Sequence, residues 1–77
     1  MKTYEGFGQT KVAVGSVVKI HEPGFGRGLQ AEIISVNEDP QRVIGKAEVR
    51  ITHTPAKSCW QVGNRTTCGV WWLEAVK

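Results

Sequence analysis

Between Val43 and His53 the chain alternates: Ala47, Val49 and Ile51 point to one side, and Lys46, Glu48, Arg50 and Thr52 to the other. A period of two with one polar face predicts a half-buried antiparallel strand. Upstream, residues 12–21 are rich in β-branched side chains and predict a first strand, bent or bulged at Gly15-Ser16. Residues 29–36 predict a second, closed by a turn over Asn37-Glu38-Asp39-Pro40-Gln41. Between these two strands, Glu22-Pro23-Gly24-Phe25-Gly26-Arg27-Gly28 interrupts regular structure and predicts a long, exposed, glycine-rich loop. Residues 1–11 are polar, with Tyr4 and Phe7 as their only anchors, and predict an arm or irregular strand.

The most structured stretch lies near the C-terminus. Gly63-Asn64 is a two-residue turn signal flanked by β-formers, which predicts a tight hairpin. Folded about that turn, Trp60 faces Thr67 and Cys59 faces Cys68, the cysteines at a non-hydrogen-bonded position where side chains come closest. They are expected there as a thiol pair or a disulfide, thiols being the commoner state in a reducing cytosol. On the following strand Trp71 and Trp72 face opposite sides. Either Cys68, Val70 and Trp72 are core and Trp60, Val62 and Trp71 lie outside, or the reverse holds with Leu73 joining the core. The first arrangement leaves Trp71 exposed. Leu73-Glu74-Ala75-Val76 is too short for an independent helix and suits a closing turn.

Five short strands in this order predict an all-β domain over 12–77, with 1–11 as its arm. The pattern resembles the SH3-like small β-barrel group, in Tudor-like and KOW-like versions. The resemblance rests on Val14-Gly15-Ser16-Val17-Val18 before a mobile loop and on Val70-Trp71-Trp72-Leu73-Glu74-Ala75-Val76 at the end. It implies a five-stranded barrel with a glycine-rich loop after the first strand and a short closing turn. A more distant likeness is to the plasmid-borne type II dihydrofolate reductases, tetramers of such barrels. Their pore is lined by a Val-Gln-Ile-Tyr stretch before a Leu-Glu turn. Here Val70-Trp71-Trp72 stands in that place, without the glutamine or the tyrosine, so no enzyme is expected and a small tetrameric reductase-like enzyme is only the second alternative. By analogy, the chain fits an accessory protein of a phage, plasmid or other mobile genetic element.

Seventy-seven residues make one domain near the size where a single core is only just sufficient. That gives self-association an energetic attraction, and an oligomer is expected. A net charge of +3 adds a weak attraction for anionic surfaces. No apolar run approaches the ~20 residues of a membrane span, and the N-terminus lacks the apolar core of a signal peptide. Both features point to the cytoplasm.

The chemistry on offer is that of binding. Phe25, beside glycines, is expected to be poorly covered, with Arg27 next to it to meet an anion. Trp60, Trp71, Arg50 and Arg65 complete an aromatic and basic surface for a protein partner or a second copy of the chain. Nucleic acid is the alternative, with bases stacked on the same rings. Against a dedicated nucleic-acid track, Glu32 and Glu48 interleave with the arginines, a pattern typical of cross-strand ion pairs on a solvated face. His21, His53, Cys59 and Cys68 are metal-ligand types but match no zinc spacing. No metal, cofactor or catalytic residue is expected.

Overall fold

The computed structural model describes residues 2–26, 28–37, 45–55 and 58–76. Seven strands are present among them: β1 (Tyr4–Glu5), β2 (Lys11–Val12), β3 (Val17–Ile20), β4 (Gln30–Asn37), β5 (Lys46–His53), β6 (Arg65–Gly69) and β7 (Leu73–Ala75). Two short 3₁₀ turns, Phe7–Gln9 and Val70–Trp72, are the only helical pieces among the described residues. The all-β expectation holds. No helix in the described residues is long and apolar enough to cross a membrane.

The strands form two antiparallel sheets, a small β1-β2 pair and a five-stranded sheet in the order β6-β5-β4-β3-β7. The larger sheet is open, with β6 and β7 as its edges, rather than closed into the expected barrel. The predicted first strand is also two strands: a turn at Val14-Gly15 separates β2 from β3, and Gly15 takes a φ of +92° there. The Gly15 N–H donates to the Ile33 carbonyl (2.8 Å), and the Ser16 carbonyl accepts from the Ile33 N–H (3.0 Å). A turn that glycine alone enters easily therefore docks on β4.

The long strands β4 and β5 carry the alternation seen in the sequence, and their register sets the core. Ala31 lies opposite Ile51, Ile33 opposite Val49 and Val36 opposite Ala47. Between Ile33 and Ser35 the register shifts, leaving Ile34 as an extra residue. This bulge resets the phase of β4, so that Val36 packs on the core after Ala31 and Ile33. A second shift, between Gln30 and Ala31, bends the other end of the pair. The curled sheet encloses Val12, Val18, Ile20, Leu29, Ala31, Ile33, Ala47, Val49, Ile51, Cys68, Val70 and Leu73. No buried side-chain polar atom among the described residues lacks a partner.

The hairpin expected about Gly63-Asn64 has a different partner. β6 pairs with β5, from Lys46 opposite Gly69 to Arg50 opposite Arg65, and not with residues 59–62. The reverse turn itself spans Gln61 to Asn64, with the Asn64 N–H donating to the Gln61 carbonyl (3.1 Å). Gly63 is its third residue at φ +96°, as a type II turn requires. The Asn64 side chain accepts from the Gln61 N–H (2.9 Å), and the Ile51 N–H donates to the Asn64 carbonyl (2.8 Å). The turn is thus fastened to β5. Cys59 is consequently outside any strand and exposed, Cys68 is buried in β6, and both are free thiols.

At the other edge, β7 pairs with β3, Ile20 opposite Leu73 and Lys19 opposite Glu74. Residues 73–75 are thus a strand, and the closing turn falls one step earlier, over Val70–Trp72. The N-terminal arm covers the free side of β7. The Thr10 hydroxyl accepts from the Ala75 N–H (3.2 Å) and donates to the Phe7 carbonyl (2.8 Å).

Candidate binding surface

Two groups of stacked rings flank the end of the β3–β4 pair. In the first, the Phe25 and Trp60 rings lie 5.0 Å apart and nearly parallel, at 15°. Both are half-buried and rest against the core. Phe25 is therefore covered by an indole rather than left bare, which corrects the expectation from its glycine neighbours. The two residues lie far apart in sequence in separate irregular segments, so no local pattern announced the contact.

In the second group Phe7 stacks on His21 (4.1 Å, 19°) and reaches Trp72 (6.2 Å, 22°). The His21 Nε2 lies 3.2 Å from Glu74 Oε1, and the His21 N–H donates to the Trp72 carbonyl (2.8 Å). Phe7 thus anchors the arm, as its isolation in a polar stretch suggested. The strand argument for Trp71 and Trp72 does not apply, because both sit on a 3₁₀ turn. Trp71 is nevertheless the more exposed, at 38%, while Trp72 is half-buried beneath the arm.

Beside His21 opens a cleft of about 460 Å³, lined by Lys19, Ile20, His21, Gly26, Gly28, Leu29 and Gln30. Its floor is apolar, since Ile20 and Leu29 belong to the core. Its rim carries the Lys19 ammonium, the His21 ring and the Gln30 amide. Gly24, Gly26 and Gly28 all take positive φ, and a Cβ at Gly24 or Gly26 would meet nothing within 4 Å. The wall on that side is bare backbone. Glu22, at the start of this segment, accepts from the Gly69 N–H (3.2 Å) and pins it to the end of β6. The sequence offers His21 only as a metal-ligand type and does not single out Lys19 or Gln30 for binding, because a cleft of this kind depends on where the connection between two strands folds back. Arg27 lies outside the described residues.

The remaining candidates are dispersed. Arg50 pairs with Glu32 (3.2 Å) and Arg65 with Glu48 (3.6 Å) on the outer face of the sheet. These are the cross-strand pairs that the mixed charges predicted, exposed enough to contribute roughly 0–1 kcal/mol each. Val62 is 65% exposed at the tip of its turn. The Cys68 thiol is pushed up to about 12, first by burial and then by the Glu22 carboxylate. That is the opposite of an activated nucleophile. Among the described residues no three metal-ligating side chains converge, and His21, His53, Cys59 and Cys68 do not assemble. Set against protein families, curated proteins and solved structures, the chain matches none of them.

Proposed function

We propose that the protein is a non-enzymatic binding module of the SH3-like small β-barrel kind, taking a segment of a protein partner in the cleft beside Phe25 and Trp60. A five-stranded antiparallel sheet curled around one core, with a short helical turn before its last strand, supports that membership. The observation that carries the function is the cleft: an apolar floor of Ile20 and Leu29 and a polar rim with one ammonium, its glycine wall running on in sequence from Phe25, which stacks on Trp60. Lys19 has no ion-pair partner among the described residues, and the chain carries a net charge of +3. An extended segment with an apolar side chain beside an acidic one fits this chemistry. The outer face favours protein over nucleic acid, because its arginines are already matched by carboxylates.

The test is affinity capture from a bacterial lysate, with and without nuclease, using the wild type and the Lys19→Glu and Gln30→Ala variants. Both substitutions lie on the rim and leave the core intact. A protein captured in the presence of nuclease, and lost with either variant, is the expected result. Capture abolished by nuclease would instead favour the nucleic-acid alternative, which would further show a steep loss of affinity with salt. Equal capture by all three proteins would remove the cleft from the function.

A further inference from the structure

The two edges of the main sheet are treated differently. The free side of β7 is covered, through the bond from the Ala75 N–H to the Thr10 hydroxyl and the packing of the arm. Among the described residues the free side of β6 accepts or donates a hydrogen bond only at its end. There the Gly69 N–H points away from β5 and donates to Glu22 Oε1, whereas the Val70 N–H and the Asn64 carbonyl both bond toward β5. In an antiparallel strand these directions alternate. Arg65 and Thr67 therefore turn their N–H and C=O groups outward with Gly69. Among the described residues no backbone or side-chain bond reaches the N–H of either. β6 also carries neither proline, lysine nor a bulge to blunt its edge.

We infer that β6 pairs antiparallel with β6 of a second copy of this chain, about a two-fold axis at Thr66, to join two sheets into one. The register follows from Glu22. An axis at Thr67 would set Arg65 against Gly69, whose N–H Glu22 already occupies. An axis at Thr66 sets Arg65 against Thr67 of the second copy, twice over, and leaves Glu22 in place. The half-buried Thr66 side chains then meet as a cross-strand threonine pair.

Charge selects the same partner. Thr67 lies directly opposite Glu48 on β5. In the joined sheet Arg65 of one copy, Thr67 of the other and Glu48 of the other therefore stand in one row on one face. Thr67 is short, and two strand spacings of about 4.8 Å each are within reach of an arginine and a glutamate. Arg65, already 3.6 Å from its own Glu48 and directly opposite Arg50, gains a second carboxylate across the axis. A second copy of this strand brings its own complement. This surface is distinct from the cleft, so the dimer stands or falls independently of what the cleft binds.

Thr67→Pro is the direct test. Its N–H is not part of the β5–β6 ladder, so proline is tolerated by the fold but removes a donor and inserts a ring at the joint. Sedimentation equilibrium from micromolar to millimolar chain is expected to show the wild type passing from monomer to dimer. Thr67→Pro is expected to weaken this by roughly tenfold or more. Arg65→Glu and Glu48→Arg each weaken it, and the double swap restores it. That series carries the test if the proline variant fails to fold. A wild type of one-chain mass throughout would overturn the inference, as would a folded Thr67→Pro that dimerises normally or a double swap that restores nothing. A monomer that instead takes up a foreign peptide along β6 would also overturn it.

Discussion

The indole of Trp71 lies flat against the backbone of Gly69: a Cβ added there would stand 2.6 Å from both Cε2 and Cζ2 of the ring. Gly69 itself is in ordinary extended conformation, at φ −66° and ψ 134°. Glycine is needed here for room and not for backbone freedom. It lets the chain leave β6 and enter the 3₁₀ turn with an aromatic folded back over the junction. Gly69→Ala is expected to swing the half-exposed ring outward and to cost about 1–3 kcal/mol. The Trp71 indole N–H resonance should move toward its position in the unfolded chain. In a Trp71→Ala background the same substitution should cost much less, and equal costs in the two backgrounds would contradict the contact.

Gly6 makes a closer approach, against an unyielding neighbour. A Cβ at this position would overlap the Leu73 carbonyl oxygen and press on Val12 Cγ1 at 3.3 Å. A carbonyl in a paired strand has no rotamer to escape into, so the arm itself must lift. Gly6→Ala is expected to cost about 1–3 kcal/mol, toward the upper end, on a domain whose whole stability is of the order of 5 kcal/mol. The Ala75 amide, held by the Thr10 hydroxyl, should exchange its hydrogen faster than the loss of global stability accounts for. Unchanged Ala75 exchange would show that the arm is not what protects β7.

These two glycines mark what the sequence could not disclose. The strands β4 and β5 were legible because alternation is a local property: Ala47, Val49 and Ile51 declare a face without knowing their partner. Turn chemistry was legible to within one residue. Gly63 does sit in a reverse turn, but Asn64 uses its side chain to close it, so Val62 and Gly63 become the central pair. The choice of strand partner was not legible, because residues 59–62 and β5 both offered apolar and β-branched side chains to β6. The longer, already paired β5 gains more by accepting it, and Cys59 and Trp60 are left to a connection. Of the proposed contact residues, Phe25 and Trp60 are brought together by that connection. Arg50 and Arg65 are held in ion pairs that their mixed-sign surroundings foretold.

Cys68 offers a last, quantitative handle, because its burial couples the fold to alkaline pH. The native thiol is raised from an ordinary value of 9.0 to about 12, by desolvation first and by Glu22 second. The folded chain thus keeps a proton that the unfolded chain releases. Stability is present in full below pH 9.0 and falls as pH rises toward 12, by about 1.4 kcal/mol per pH unit within that window. Tyrosine and lysine titrate in the same range, so the measurement is a difference. Denaturant unfolding of the wild type and of Cys68→Ala, followed from about pH 8 to about pH 11, isolates the thiol. Cys68→Ala removes packing at every pH, which sets a constant offset in favour of the wild type. The gap should narrow as the pH climbs, and a gap that stays level would mean that Cys68 ionises freely in the folded chain. Thiol labelling gives the independent check: the exposed Cys59 should react at once near neutrality, and Cys68 only at the rate at which β6 opens.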